Sequence, residues 1–587
     1  MWGQPPPAVH RAKLGSSYRY DYEKISVEFH TLCPRPRPGN QESVRMSYHI
    51  HVPSFYVQNF GCRATQADGA AIEHQFEQRG LVPATTAADS DLVVLNTCTV
   101  TAAADQDARA AIRRIQRRNP AAKIIVTGCY AQRAPEEIAM LPGVTCVIGN
   151  SHKHQLADLA LQTSTDGRCT LSNDKFCAPE SDESRVANSD RFWVAQRFSA
   201  AKDASTLEGA SAPQRHSGQT FIPVSTLISA GPTTNDQRPI FVSDIFAHSE
   251  LLAAPVFEGT AAAGSHENAR TRPNLKVQDG CDNRCSFCVI PSVRGQSRSL
   301  QLHQILREVT ALVKAGYREV VVSGINLGRW GRDLALGMHG HRPTTNNQPP
   351  HFEDLIRAIL EETRLEKLRV SSVEPMDWTD DLIALVAHSP RIAKHAHVPL
   401  QSGSDAVLRR MHRKYRPWHY REKIEKIHAS TPTAAIGADV MVGFPGETAA
   451  EFDETRRLIE DLPFTYLHVF TYSARPGTAA AAMPYQVPTN IARDRNRILR
   501  DLAAEKKLAF MRSFIGKTVE AITLGSYHSA RKCGESERRI PPPAFTEALT
   551  ENYLQLQVKG MHQQNRWLRV RVEDLIDGVL VGTRSAH

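Results

Sequence analysis

The stretch CDNRCSFC places three cysteines, Cys281, Cys285 and Cys288, within one short segment. A structural zinc site takes four ligands and a disulfide takes two, so three neighbouring thiols need another explanation. Three thiolates can ligate three irons of a [4Fe–4S] cluster, which leaves the fourth iron open to a small molecule. A Cys3His zinc site is the main alternative. The nearest candidate histidine, His303, follows a predicted helix start and is poorly placed to close such a site.

Three further cysteines each follow a predicted strand. Cys62 comes after FYVQNF, Cys98 after DLVVLN and Cys129 after KIIVTG, with helical patterns between the strands. This alternation predicts a parallel α/β sheet, and the loops after parallel strands lie along one edge of the sheet. We therefore expect these three thiols to converge in space. The alternative is three unrelated buried thiols.

The composition predicts a globular protein of several domains without a secretory signal or a membrane span. The 587 residues are 41% hydrophobic and 23% charged, and they contain no apolar run of about 18 residues. Eleven cysteines without a signal peptide favour metal binding over a disulfide framework. We expect a cytoplasmic location, and the net charge of +9 is compatible with a nucleic-acid partner.

Changes in sequence pattern divide the chain into five segments. We predict a disordered extension at 1–50, an N-terminal parallel-sheet α/β domain at 51–162, a low-complexity linker or insertion at 163–272, a partial (βα)6 barrel at 273–512 and a small all-β barrel at 513–585. The overall fold class is α/β. In the (βα) barrel, the chemistry is expected at the C-terminal ends of the strands.

The CxxxCxxC spacing resembles the signature of the radical S-adenosylmethionine (SAM) enzymes. In that family the open iron binds the amino and carboxylate groups of SAM, and SAM cleavage gives a 5′-deoxyadenosyl radical. The motifs GC, NTCTVT and TGCYAQ, with SSVEP, VPLQSGSDAVLRRMHRKY, DVMVGFPGET and YSARPGT, resemble the methylthiotransferases within that family. The last barrel resembles their TRAM domain, which binds RNA.

The resemblance implies two [4Fe–4S] clusters and SAM as cofactors. Cys281, Cys285 and Cys288 would hold the radical-generating cluster. The auxiliary cluster would be held by Cys62, Cys98 and Cys129. SAM contacts are implied at the strand ends, by Ser323, Gly324, Glu374, Gln401, Ser402 and Asp439. One SAM would supply the methyl group and a second the radical, so a reductant such as flavodoxin or ferredoxin is also implied.

Four other residues carry narrower expectations. Arg294 and Arg298 follow the cysteine loop and are candidates for contact with the SAM carboxylate or RNA phosphate, or for a solvated surface. Trp567, in the basic strand RWLRVRV, either stacks on RNA or packs in a core. Thr65 stands where the family often has asparagine, and its hydroxyl can cap a helix.

The methylthiotransferases have three kinds of substrate. NTCTVT, QDGCDNRCSFCVIP and GINLGRWGRDL resemble the branch that modifies C2 of N6-threonylcarbamoyladenosine at position 37 of tRNA. The other branches modify isopentenyladenosine-37 tRNA and an aspartate of a ribosomal protein. A radical SAM enzyme of another reaction class and an RNA-binding protein with a structural metal are further alternatives. SAM cleavage without sulfur transfer would favour the former, and zinc in place of iron the latter.

Overall fold

The computed structural model describes residues 52–162, 238–247, 271–334, 349–528 and 545–585, without the side chains of residues 525–528. The expected disordered extension and most of the expected linker lie outside these ranges. Within the described part of the chain, no helix is both long and apolar enough to cross a membrane.

The first domain is built on a parallel sheet of six strands in the order β2–β1–β3–β4–β5–β6. The strands span Ser54–Asn59 (β1), Val82–Pro83 (β2), Leu92–Thr97 (β3), Lys123–Gly128 (β4), Val144–Ile148 (β5) and Ile240–Phe241 (β6). The helices span Arg63–Glu77 (α1), Ala102–Arg118 (α2), Cys129–Arg133 (α3), Pro135–Ala139 (α4) and Leu156–Gln162 (α5). The central strand β3 is buried along its whole length, as expected for an apolar run inside a parallel sheet. The predicted α/β alternation is confirmed.

The strand β6 belongs to a segment that the sequence assigned to the linker. Ile240 and Phe241 pair in parallel with Val147 and Ile148 of β5. Gln132 Nε2 also donates a hydrogen bond to the Ser243 carbonyl at 3.0 Å. The linker prediction is therefore wrong for residues 238–247, because two strand residues in a polar, Ser- and Thr-rich region give no periodic signal.

The second domain is a partial barrel of six parallel strands in the order β7–β9–β10–β11–β12–β13, with a short antiparallel strand, β8, on the outer edge of β7. The strands span Asn274–Asp279 (β7), Arg298–Ser299 (β8), Glu319–Gly324 (β9), Lys367–Val370 (β10), His395–His397 (β11), Ala435–Val442 (β12) and Tyr466–Thr471 (β13). The helices span Ile290–Arg294 (α6), Leu302–Lys314 (α7), Phe352–Glu362 (α8), Asp380–His388 (α9), Asp405–Arg410 (α10), Pro417–Ser430 (α11), Ala449–Asp461 (α12) and Thr489–Arg512 (α13). The predicted (βα)6 barrel is confirmed.

One apolar core lies between these strands and their helices. The helix α7 shows how the sequence builds it, because Ile305, Val309 and Leu312 recur at helical spacing and are all buried in that core. The barrel strands present their other side chains to the interior, and several of these are polar. The expected place for the chemistry stays at the C-terminal ends of the strands, where the loops that follow them meet.

The third domain is a closed barrel of five strands in the order β14–β15–β16–β18–β17. The strands span Thr518–His528 (β14), Phe545–Thr550 (β15), Gln555–Lys559 (β16), Trp567–Ile576 (β17) and Val579–Arg584 (β18). The small all-β barrel is confirmed, although the sequence predicted only four of its strands. The strand β15 was missed because it directly follows a Pro- and Arg-rich segment that reads as a loop.

Arg369 of β10 joins the third domain to the second. Its side chain is fully buried and donates hydrogen bonds to Glu319, to the Glu551 carbonyl at 3.0 Å and to the Thr550 carbonyl at 3.4 Å. Lys367, two residues earlier, lies 5.2 Å from the centre of the Trp567 ring. The small barrel is thus fixed to β10 of the second domain, and Trp567 packs at this junction.

Five buried charged side chains join the first domain to the second, and we call them the interdomain charge cluster. Asp68 of α1 accepts hydrogen bonds from Lys153 and from Arg294, each at 3.0 Å, and also from Lys276. Asp279 accepts from Lys276 at 2.9 Å and twice from Arg294 at 3.0 Å. Because Arg294 is 2% exposed, the expectation that it contacts SAM, RNA or solvent is replaced by this structural role.

Removing one carboxylate from the interdomain charge cluster should destabilise the protein strongly. Asp68→Asn leaves three buried cations facing only Asp279, so we expect the free energy of unfolding to fall by about 3–5 kcal/mol. Asp158→Asn is the matched control, because Asp158 pairs with Arg79 at 2.6 Å on the surface. Its loss should cost about 1 kcal/mol or less. Urea unfolding followed by circular dichroism compares the two, and equal losses would contradict this role for Asp68.

Candidate active site

The cysteine loop begins at the C-terminal end of β7. Gly280 has a φ of +73°, and a side chain there would collide with the Gln296 carbonyl, so only glycine allows this turn. The Cys281 amide then donates to the Gly295 carbonyl at 3.1 Å, and the Ser286 amide donates to the Met411 carbonyl at 3.1 Å. These hydrogen bonds anchor both parts of the loop, so its three thiols are held together above the barrel.

The surroundings of this loop suit thiolate ligands. Burial, with smaller contributions from the neighbouring Cys285 and Cys281, raises the pKa of Cys288 to about 12. Three thiolates so close together repel one another unless a cationic metal centre lies between them. Arg413 Nη1 donates to Cys285 Sγ at 3.4 Å, and Asn326 Nδ2 donates to Cys281 Sγ at 3.5 Å. The donor set therefore fits an iron–sulfur cluster with three protein ligands.

The cysteines of the first domain are also brought together by its sheet. Cys62 caps the N-terminus of α1, Cys98 follows β3 and Cys129 begins α3. Burial raises the pKa of Cys98 to about 12, with Cys129 and then Cys62 as the next contributions. Thr65 lies 3.6 Å from the Cys62 thiol and does not cap the helix, contrary to expectation, because Cys62 itself occupies the cap position.

One cysteine of the first domain packs against the segment that follows the cysteine loop. We call Cys281, Cys285 and Cys288 the loop trio, and Cys62, Cys98 and Cys129 the sheet trio. Cys129 packs against Val289 and Val293, which directly follow the loop trio in sequence. Asn150 Nδ2 donates to Cys129 Sγ at 3.6 Å and to the Val293 carbonyl at 2.8 Å. The sheet trio is thus connected to the segment after the loop trio through Cys129 and Asn150.

The residues expected to contact SAM lie mostly at the strand ends. Glu374 follows β10 and forms an ion pair with Arg413, which links it to the loop trio. Burial raises the pKa of Glu374 despite that pair. Gln401 follows β11 with a φ of +62°, a conformation fixed by backbone hydrogen bonds to β12 at 2.8 Å. These positions keep Glu374 and Gln401 as predicted SAM contacts.

Three of the residues expected to contact SAM make contacts that stabilise the fold. Ser323 donates its hydroxyl to the Leu275 carbonyl at 3.3 Å, and Ser402 shares a hydrogen bond of 3.1 Å with Thr455. Gly324 lies close to Gln278, so a side chain at position 324 would press against it. These three positions thus have structural roles, and their contact with SAM stays a prediction.

Asp439 lies within β12 and is joined in the barrel interior by His397 and His468, which sequence reasoning missed. One nitrogen or oxygen of each lies within 4.8 Å of the others, and His397 Nε2 is 3.4 Å from Asp439 Oδ1. Burial opposes ionisation of Asp439, but the hydrogen bond from His397 and the nearby His468 lower its pKa overall. Histidines inside the otherwise apolar strands HAHVPL and YLHVF were the available sequence signal.

Comparison with known proteins supports the same reading. The model of "Uncharacterized protein family UPF0004" matches residues 54–149, and that of the radical SAM superfamily matches residues 275–459. The chain is 32% identical over 467 residues to a threonylcarbamoyladenosine tRNA methylthiotransferase MtaB of Rickettsia prowazekii, covering 79% of this chain and 86% of the relative. It is 31% identical over 503 residues to the MtaB of Bacillus subtilis, covering 85% and 89%.

A relative with a different named substrate matches almost as well. The tRNA-2-methylthio-N(6)-dimethylallyladenosine synthase of Parafrankia is 30% identical over 473 residues, covering 80% of this chain and 77% of the relative. The named relatives therefore share methylthio transfer to tRNA and differ in the modified base. Together with the radical SAM domain, the parallel-sheet domain and the TRAM-like barrel, they show that this chain is an enzyme of the radical SAM methylthiotransferase family.

Proposed function

We propose that this enzyme methylthiolates C2 of N6-threonylcarbamoyladenosine at position 37 of tRNA. The observation that carries the proposal is the contact of Cys129, from the sheet trio, with Val289 and Val293 in the segment that follows the loop trio. Methylthio transfer needs a radical source and a sulfur source within reach of the same carbon. The substrate is supported by the motifs of the sheet and loop trios and by the named function of the MtaB relatives.

Two [4Fe–4S] clusters are the proposed cofactors, one on each trio. When bound, they supply the electron that cleaves SAM and the sulfur that is transferred. The residues of the chain hold the clusters and orient SAM. Arg413 places a positive charge beside Cys285 and fixes Glu374, which is thereby positioned to accept a hydrogen bond from SAM. The proposed SAM site is completed by Ser323, Gly324, Gln401, Ser402 and Asp439.

The partners we propose are tRNA and a protein reductant such as flavodoxin or ferredoxin, in the cytoplasm, where thiols stay reduced. The small barrel offers a basic strand for RNA. Along β17, Arg569 and Arg571 are exposed, while Val570 and Val572 are buried. Guanidinium groups in such a row can contact RNA phosphates. Trp567 is engaged with Lys367, so we assign RNA binding to the arginines.

Methylthiolation of isopentenyladenosine-37 tRNA is the second candidate, because the Parafrankia relative is named for the dimethylallyl substrate. The two activities share the chemistry at C2 and differ in the group on N6 of the adenine. Threonylcarbamoyl carries a carboxylate, whereas isopentenyl is an uncharged hydrocarbon. A side chain that binds the carboxylate of the threonylcarbamoyl group would distinguish the first substrate from the second.

Removing one cysteine of the sheet trio should remove one cluster and leave the other. We expect Cys98→Ala to lower the iron content of the anaerobically reconstituted protein from about eight to about four atoms per chain, with SAM cleavage retained. Cys146→Ala is the matched control, because Cys146 is equally buried but lies in an apolar core of the first sheet. Full iron content or intact methylthio transfer in Cys98→Ala would contradict the assignment of the auxiliary cluster.

The substrate is tested by mass spectrometry of tRNA nucleosides from cells with and without the gene. We expect the 2-methylthio derivative of threonylcarbamoyladenosine to disappear on deletion and to return with the wild-type gene. A Cys281→Ala gene should not restore it, because the loop trio would be incomplete. Loss of the 2-methylthio derivative of isopentenyladenosine instead would assign the second candidate.

A further inference from the structure

Arg63 directly follows Cys62 of the sheet trio and begins α1. Its Nη1 atom is buried and has no hydrogen-bond partner. No carboxylate in the described part of the chain forms an ion pair with it. A guanidinium carries five N–H donors, and leaving one buried without an acceptor costs free energy. This side chain is therefore ready to accept an anionic partner that the described residues do not supply.

The side chain of Arg63 lies beside Tyr553 of the third domain, whose ring is close to His395 of β11 and Tyr466 of β13. Its Cζ atom lies 6.0 Å from the centre of the Tyr553 ring. Its charge also contributes to lowering the pKa of His395 and of His468, for which burial is the largest cause. His468 faces Asp439 in the interior. Arg63 thus adjoins an auxiliary cysteine in sequence and acts electrostatically on histidines of β11 and β13.

The charges around Arg63 leave an excess of positive charge. Arg272 and Arg369 are the neighbouring cations, and both interact with the single carboxylate of Glu319, at 3.6 and 2.5 Å. Asp439 is engaged by His397 at 3.4 Å. Two arginines therefore share the carboxylate of Glu319 and Arg63 adds a further positive charge, which favours an incoming anion at Arg63.

Packing on Tyr553 alone does not account for Arg63. A distance of 6.0 Å is at the outer limit for a cation–π interaction, and such a contact leaves the buried Nη1 unsatisfied. A carboxylate would satisfy it, because two parallel hydrogen bonds from a guanidinium match the two oxygens of a carboxylate.

We propose that Arg63 binds the carboxylate of the threonylcarbamoyl group and so determines the specificity of the enzyme for this modified base. The inference rests on the proposed function, because that substrate carries the carboxylate. An uncharged N6 substituent would leave Arg63 buried and unpaired, and the site would discriminate against it. Arg63 would then anchor the outer end of the substituent while C2 of the adenine lies near both trios.

Binding of two matched RNAs to the reconstituted full-length enzyme tests this role. Both are anticodon stem-loops with threonylcarbamoyladenosine at position 37. One keeps the free carboxylate, and in the other this group is converted to a neutral methylamide. For the wild-type enzyme we expect the amide to bind about 10- to 100-fold more weakly by fluorescence anisotropy. For Arg63→Met we expect both RNAs to bind as weakly as the amide does to wild type.

Two further variants make the comparison independent of folding. Arg63→Lys keeps the charge and should retain most of the discrimination, which decides the question if Arg63→Met does not fold. Arg79→Met is the control, because Arg79 lies just beyond the other end of α1 and pairs with Asp158 on the surface. It should discriminate as the wild type does.

The outcomes separate this inference from the proposed function. If the wild type methylthiolates the carboxylate RNA but binds both RNAs equally, or if Arg63→Met retains the wild-type discrimination, the role of Arg63 is overturned and the function stands. If the wild type does not methylthiolate threonylcarbamoyladenosine RNA at all, the proposed function falls and this inference falls with it.

Discussion

The interdomain charge cluster is the interaction on which the active site depends. Its two carboxylates and three cations come from both domains, and each is buried. A buried charge that loses its partner is far more costly than a lost surface pair. The first domain therefore cannot slide or rotate against the barrel without breaking several of these bonds at once, and the separation of the two cysteine trios is fixed as a result.

The same cluster sets the electrostatic character of the sheet trio. The interdomain charge cluster has one more cation than it has carboxylates. Its Arg294 is close enough to Cys129 and Cys62 to interact with their charges. Arg413 has the corresponding place beside Cys285 of the loop trio. Each trio thus has an arginine next to it, which favours the thiolate form and the negatively charged metal centres that three thiolates make. The carboxylates of Asp68 and Asp279 in turn hold Arg294 in position.

The sequence predicted the elements whose signal is local. The apolar runs of β3, β4 and β9 and the helical spacing of α7 reveal the sheet and the barrel, because buried strands and amphipathic helices have distinct periods. The cysteines were found because a strand followed by a thiol recurs. SAM contacts at Ser323, Gly324, Glu374, Gln401, Ser402 and Asp439 remain predictions.

The residues that sequence reasoning missed depend on distant partners. Arg294 looks like any basic residue after a loop until Asp68, more than two hundred positions away, is brought beside it. The grouping of His397 and His468 with Asp439 becomes visible only when β11 and β13 are placed on either side of β12. Arg63 stands out only through the absence of a partner for Nη1, which no sequence pattern encodes.

The late strand β6 has a consequence for how the chain is made. Helix α5 ends at Gln162, yet the sheet of the first domain is completed by Ile240–Phe241. During translation, the first domain cannot complete its sheet until residue 241 has left the ribosome. Its other strands are synthesised much earlier. The first sheet is therefore completed only after residues 163–239 have been synthesised.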